Sequence, residues 1–84
     1  MKLIHPDRVA SGTVDHKLPL AERKTIIFNT FYALGIYPGI EVIMAKGNLS
    51  QVSAENVRKT LRAHGCKYNK QLSKVLYKHL KENA

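Results

Sequence analysis

The single cysteine, Cys66, lies two positions from a histidine, His64. A thiolate nucleophile and an imidazole base must be in contact to work together. Here the two straddle a predicted helix end at Gly65, with no oxyanion donor or orienting group beside them. The six carboxylates, Asp7, Asp15, Glu22, Glu41, Glu55 and Glu82, are scattered without the paired spacing of acid–base work. His64, Cys66 and His79 lack the ligand spacing of a zinc site, and Gly35, Gly39 and Gly47 fit neither a P-loop nor a dinucleotide loop. His79 falls on the apolar side of the last helix and reads as a hydrogen-bonded core histidine. No enzyme activity, metal or cofactor is expected.

What the sequence does concentrate is positive charge. The chain carries 14 Lys/Arg against 6 Asp/Glu, a net charge of +8. Residues 1–52 hold six Lys/Arg and four Asp/Glu, a balance of +2; residues 53–84 hold eight and two, a balance of +6. A surface that only needs solubility mixes its signs. Segregation of this kind points to a polyanion, and the choice lies between nucleic acid and an anionic membrane. There is no tryptophan and the apolar faces hold ordinary core residues, so nucleic acid is preferred and no membrane partner is expected. No run approaches the ~18 apolar residues of a membrane span, residues 1–6 are too short for a signal peptide, and a single cysteine suits a reduced cytoplasm.

Charges need elements to carry them. Eighty-four residues, 44% hydrophobic, suffice for one domain with a modest core. Residues 1–17 show no sustained period and read as an irregular arm, leaving 18–84 as a single helical domain. A first helix is predicted over 19–34: Pro19 suits the opening turn, Glu22 complements the dipole there, and Gly35 is the stop. Its core face is Leu20, Ile27, Phe31 and Leu34, with Phe28 at the edge. Phe28, Phe31 and Tyr32 could stack unpaired bases, but at helical spacing they are read as scaffold. Residues 38–47 fit a strand through Ile40-Glu41-Val42-Ile43-Met44 or a short helix with Ile40, Ile43 and Met44 on one face; the helix is preferred because both neighbours are helical.

A polar connector over 48–52 then leads to a helix over 53–64, with Ser53 as its N-cap and Ala54, Val57 and Leu61 inward. Gly65 ends it. The last helix is predicted over 67–82. At about 100° per residue, Lys67, Lys70, Lys74, Lys78 and Lys81 fall within an arc of roughly 80°. Tyr68, Leu72, Val75, Leu76 and Leu80 take the opposite side. The expected fold is all-α, a compact bundle of three to four short helices, with the last two presenting one continuous basic face.

A short helix, a connector and a Ser-capped helix carrying Asn56, Arg58 and Lys59 make residues 38–65 similar to a helix-turn-helix or winged-helix core. The resemblance covers about a third of the chain. It implies that the 53–64 helix enters the major groove, with Ser53, Asn56, Lys59 and Arg58 as base readers. Arg62, Lys67, Lys70, Lys74, Lys78 and Lys81 would then hold phosphates. The expected function is a small basic DNA-binding regulator of transcription or replication, dimeric where its operator is palindromic.

A second resemblance rests on Leu18-Pro19-Leu20, Val52-Ser53, Val57-Arg58-Lys59-Thr60-Leu61-Arg62 and Tyr68, which together resemble the FinO/ProQ-type RNA-binding domain. It implies a structured RNA held on a basic helical surface. Residues 40–80 are also similar to the small three-helix ubiquitin-associated fold, which implies an adaptor or inhibitor docked on an acidic protein partner.

Overall fold

The computed structural model describes residues 13–82. Within them the chain forms α1 (Leu20–Leu34), β1 (Ile36–Tyr37), α2 (Ile40–Gly47), α3 (Gln51–Ala63), β2 (Lys67–Tyr68) and α4 (Lys70–Glu82). The expected helical bundle is what the chain builds. Most of the predicted arm, residues 1–12, lies outside the described residues; residues 13–19 are non-helical.

α1 runs from just after Pro19 to Gly35, whose φ of 74° is left-handed and costs glycine nothing. The Gly35 N–H donates to the carbonyls of Phe31 at 2.9 Å and Tyr32 at 3.1 Å, closing the helix end. Ile27 and Phe31 are buried as predicted, with Leu34 half-buried and packed against the core; Leu20, in the first turn, is exposed.

Residues 38–47 resolve as the helix: Gly39 caps α2 and its N–H donates to Ser73 Oγ at 3.1 Å. The buried residues are Val42, Ile43, Lys46 and Gly47, while Ile40 and Met44 are half-buried. The predicted stripe is too narrow because α2 is the hub of the bundle. α1, α3 and α4 all pack on it, and a helix covered on several sides needs apolar residues around most of its girth. Ile27, Phe31, Val42, Ile43, Ala54, Val57, Leu61 and Leu76 supply most of the buried core.

The two short strands pair in parallel, Ile36 opposite Lys67 and Tyr37 opposite Tyr68. The α2–α3 unit is the crossover between them. Two-residue strands are too short to show a period, so the sequence offered no sign of them. They also correct the last helix. Asn69 caps α4 through its side-chain oxygen, which accepts from the Leu72 N–H at 2.8 Å, so the helix starts at Lys70. Lys67 therefore lies on a strand, outside the lysine stripe, and Tyr68 is exposed. On α4 itself Leu76 is buried, Leu72 and Leu80 are half-buried against the core, and Val75 is exposed at the margin. No helix among the described residues is long and apolar enough to cross a membrane.

Candidate nucleic-acid interface

The link between α2 and α3 is shorter than predicted, and the reason is local. Ser50, not Ser53, is the N-cap: its Oγ accepts from the Ser53 N–H at 3.3 Å, and α3 begins at Gln51. Only Asn48, Leu49 and Ser50 separate the helices. Asn48 sits at φ 51° and ψ 48°, a left-handed position that asparagine tolerates better than most residues. Leu49 and Ala54, one on each side of the cap, are both buried, as in a hydrophobic staple. That apolar flanking of Ser50 was the signal available in the sequence. The result is a helix, a three-residue turn and a 13-residue helix, the spacing of a helix-turn-helix unit. The described strands form no hairpin, so the winged variant has no counterpart.

α3 buries Ala54, Val57 and Leu61 as predicted. Ser53 is buried too, with its hydroxyl 3.2 Å from that of Ser50, so it belongs to the cap and is not presented as a base reader. Asn56, Lys59 and Arg62 are exposed and Arg58 is half-buried. Asn56 and Arg58 do not point the same way. Two residues turn a helix so far that they lie roughly 160° apart about its axis. Asn56 borders α1, where it lines a groove with Lys24, Thr25 and Phe28. The outermost arc between these flanks carries Val52, Glu55 and Lys59. Val52 is 71% exposed. The predicted helix start hid it, since a residue ahead of the helix would not count as a face position.

Lys70, Lys74, Lys78 and Lys81 on α4 are exposed, as the stripe requires. The Lys81 ammonium lies 5.0 Å from the centroid of the Tyr77 ring, a cation–π contact that holds its stem along the helix. α3 and α4, however, are not a packed pair. α3 packs on α1 and α2, α4 packs on α2 and β1, and contact of comparable extent between α3 and α4 is absent. The expected pair of neighbouring basic helices is thus replaced by two cationic helices that share α2 as a support. Lys74 also borders a groove of about 420 Å³ that contains Glu41, which weakens the field there. Among the described residues no carboxylate lies within ion-pairing distance of Arg58, Lys59, Arg62, Lys67, Lys70, Lys74, Lys78 or Lys81.

The remaining candidates disperse. Cys66 is buried in the core, and burial pushes its thiol above the ordinary value, away from nucleophilic use. His64 is exposed and turns toward α1. Its Nδ1 donates to the Thr60 carbonyl at 2.8 Å, because a carbonyl can only accept. Its ring meets Phe28 and Tyr32 edge-on at centroid distances of 5.2 and 5.9 Å. His79 is half-buried at the edge of the apolar face of α4. Among the described residues no three His, Cys, Asp or Glu side chains gather as a metal site would need.

The structure divides the three aromatic residues expected as scaffold, Phe28, Phe31 and Tyr32. Phe31 alone is fully buried; Phe28 is half-buried, and Tyr32 is 52% exposed and stacked on it at 5.4 Å. Compared with protein-family models, curated proteins and solved structures, the chain matches none.

Proposed function

We propose that this protein binds duplex DNA as a small regulatory protein of the cytoplasm, laying α3 in the major groove. The observation that carries the reading is the α2–turn–α3 unit: a three-residue turn, a Ser50-capped helix with its apolar side fully used, and an outward face bearing Val52, Glu55, Lys59 and Arg62, with Asn56 on its α1 flank. The major groove is about 12 Å wide and admits a helix. Asn56 and Lys59 reach base edges there, while Arg58 and Arg62 on one flank meet phosphate. Lys70, Lys74, Lys78 and Lys81 form a separate positive surface for backbone farther along, which fixes position and reads no sequence. A palindromic operator would be met by two copies.

The test is selection from random duplexes followed by an anisotropy titration at several salt concentrations. With about six phosphates neutralised, log K should fall against log[salt] with a slope of about −5. A flat response removes the reading. A structured RNA hairpin competing better than duplex at matched salt assigns the surface to RNA, and recovery of an acidic protein partner with neither competitor bound assigns it to protein docking.

A further inference from the structure

The groove between α1 and α3 has a volume of about 440 Å³ and is lined by Lys24, Thr25, Phe28, Asn56, Val57 and Thr60. Two rows of equal spacing flank it and run on past its lining. Lys24, Phe28 and Tyr32 stand four residues apart on α1, and Asn56 and Thr60 on α3 are followed four residues later by His64, the C-cap of that helix. Lys24 and Phe28 share the groove with Asn56 and Thr60, while Phe28 and Tyr32 meet His64, so the rows run in the same direction. At 1.5 Å per residue each row is about 12 Å long. That length holds about two to four nucleotides of a single strand.

The chemistry along the groove changes from one end to the other. Lys24 offers a cation at one end. Past the other end, Tyr32 is stacked on Phe28 at an interplanar angle of 10° and is 52% exposed, which leaves ring surface for a base. His64, held by its bond to the Thr60 carbonyl, braces both rings from the side at 72° and 81°. Between the ends, the hydroxyls of Thr25 and Thr60 donate to the carbonyls of Ala21 and Asn56, each at 2.9 Å. Their protons are thereby used, and only lone pairs remain to face the groove. Lone pairs repel phosphate and accept from the N–H groups of a base. A cation, acceptors for base N–H groups and an exposed aromatic ring follow one another in the order that an unpaired strand presents phosphate and base.

We infer that this groove takes the unpaired end of a DNA strand, so that the protein recognises a junction between duplex and single-stranded DNA. The inference rests on the duplex reading above, since α3 contributes one face to the major groove and its α1-facing side to the single strand. Tyr32 stacks the terminal base, and Lys24 holds a phosphate on its approach.

The experiment is an anisotropy titration of the full chain on a blunt duplex and on the same duplex with a short adenosine overhang on either strand. The overhang is expected to tighten binding by about tenfold. Tyr32→Ala should lose that gain while keeping blunt-duplex affinity, and Tyr32→Phe should keep the gain. An overhang that adds nothing for the wild type overturns the inference and leaves duplex binding standing. So does a Tyr32→Ala variant that retains the overhang gain. Failure of the wild type to bind blunt duplex in a salt-dependent way is a different result, and it overturns the duplex reading itself.

Discussion

Arg23 reaches from α1 to the carbonyl of Asn48 in the turn between α2 and α3, donating through Nη1, while its Nε donates to the Leu18 carbonyl at 3.0 Å. One guanidinium therefore ties the entry loop of α1 to the turn that sets the angle of the proposed reading helix. Asn48 completes the tie by donating from its side-chain amide to the Val14 carbonyl, and the Val14 N–H donates to the Lys46 carbonyl at 2.7 Å. Arg23→Ala should lower stability by about 1 kcal/mol, the lower end for a charged hydrogen bond because the Asn48 contact is exposed. Arg23→Lys should not restore it, since one ammonium cannot reproduce the forked geometry. Urea unfolding decides: a lysine variant as stable as wild type removes the bridging role.

Gly47 lets the end of α2 close against α1. A Cβ there would lie 2.8 Å from Ile27 Cγ1 and 2.8 Å from Leu49 Cγ. Both neighbours are buried side chains with nowhere to retreat. Gly47→Ala should therefore destabilise the fold by about 1–3 kcal/mol, as overpacking does. It gains helix propensity worth about 1 kcal/mol in the other direction, so the measured loss will sit in the lower part of that range. Thermal melting that shows no loss would mean that the two helices separate without cost.

The boundaries of α1 and the inward face of α3 were legible in the sequence because each rests on local chemistry: Pro19 and Gly35 punctuate one helix, and Ala54, Val57 and Leu61 repeat on the other. The start of α3 was not legible: the expected cap, Ser53, gives way to Ser50 three residues earlier, which is flanked by buried Leu49 and Ala54. What no local pattern could supply was the neighbour relation. Which helix α4 leans on is set by β1 and β2, two pairs of residues with no periodicity, and by Gly39 bonding to Ser73 across 34 positions. The expected packing of the last two helices side by side is absent for that reason. Likewise Tyr32 and His64 come together only because α1 and α3 run side by side.

Cys66 gives a pH signature. Burial holds its thiol above the ordinary value of 9.0, so the folded state favours the neutral form. Its contribution to stability is complete below the unfolded pKa and is lost as pH rises through the folded one. Lys46, buried and held below its ordinary 10.5, runs the other way: its contribution is present above the unfolded pKa and lost as pH falls through the folded value. The useful measurement is therefore a difference. Relative to Cys66→Val, the wild type should begin to lose stability as pH rises above about 9, and native Cys66 should react with a thiol reagent far more slowly than the denatured chain. Equal rates in the two states would place the thiol at the surface.

Val52 separates reading from holding. At 71% exposure on the outward face of α3 it buries little in the fold, so Val52→Ser should change stability by no more than about 0.5 kcal/mol. In the major groove an apolar side chain of this kind contacts the methyl group of thymine. The serine variant should therefore lose preference at one base pair, and Asn56→Ala should do the same at another, the latter costing about 1–3 kcal/mol on the favoured site only. Lys70→Glu, Lys74→Glu and Lys78→Glu combined should behave differently, weakening every duplex alike and flattening the salt slope, because a phosphate contact carries no sequence information. Titrating each variant against the selected duplex and a scrambled one distinguishes the two patterns. If Val52→Ser and Asn56→Ala weaken both duplexes equally, α3 is not the element that reads the groove.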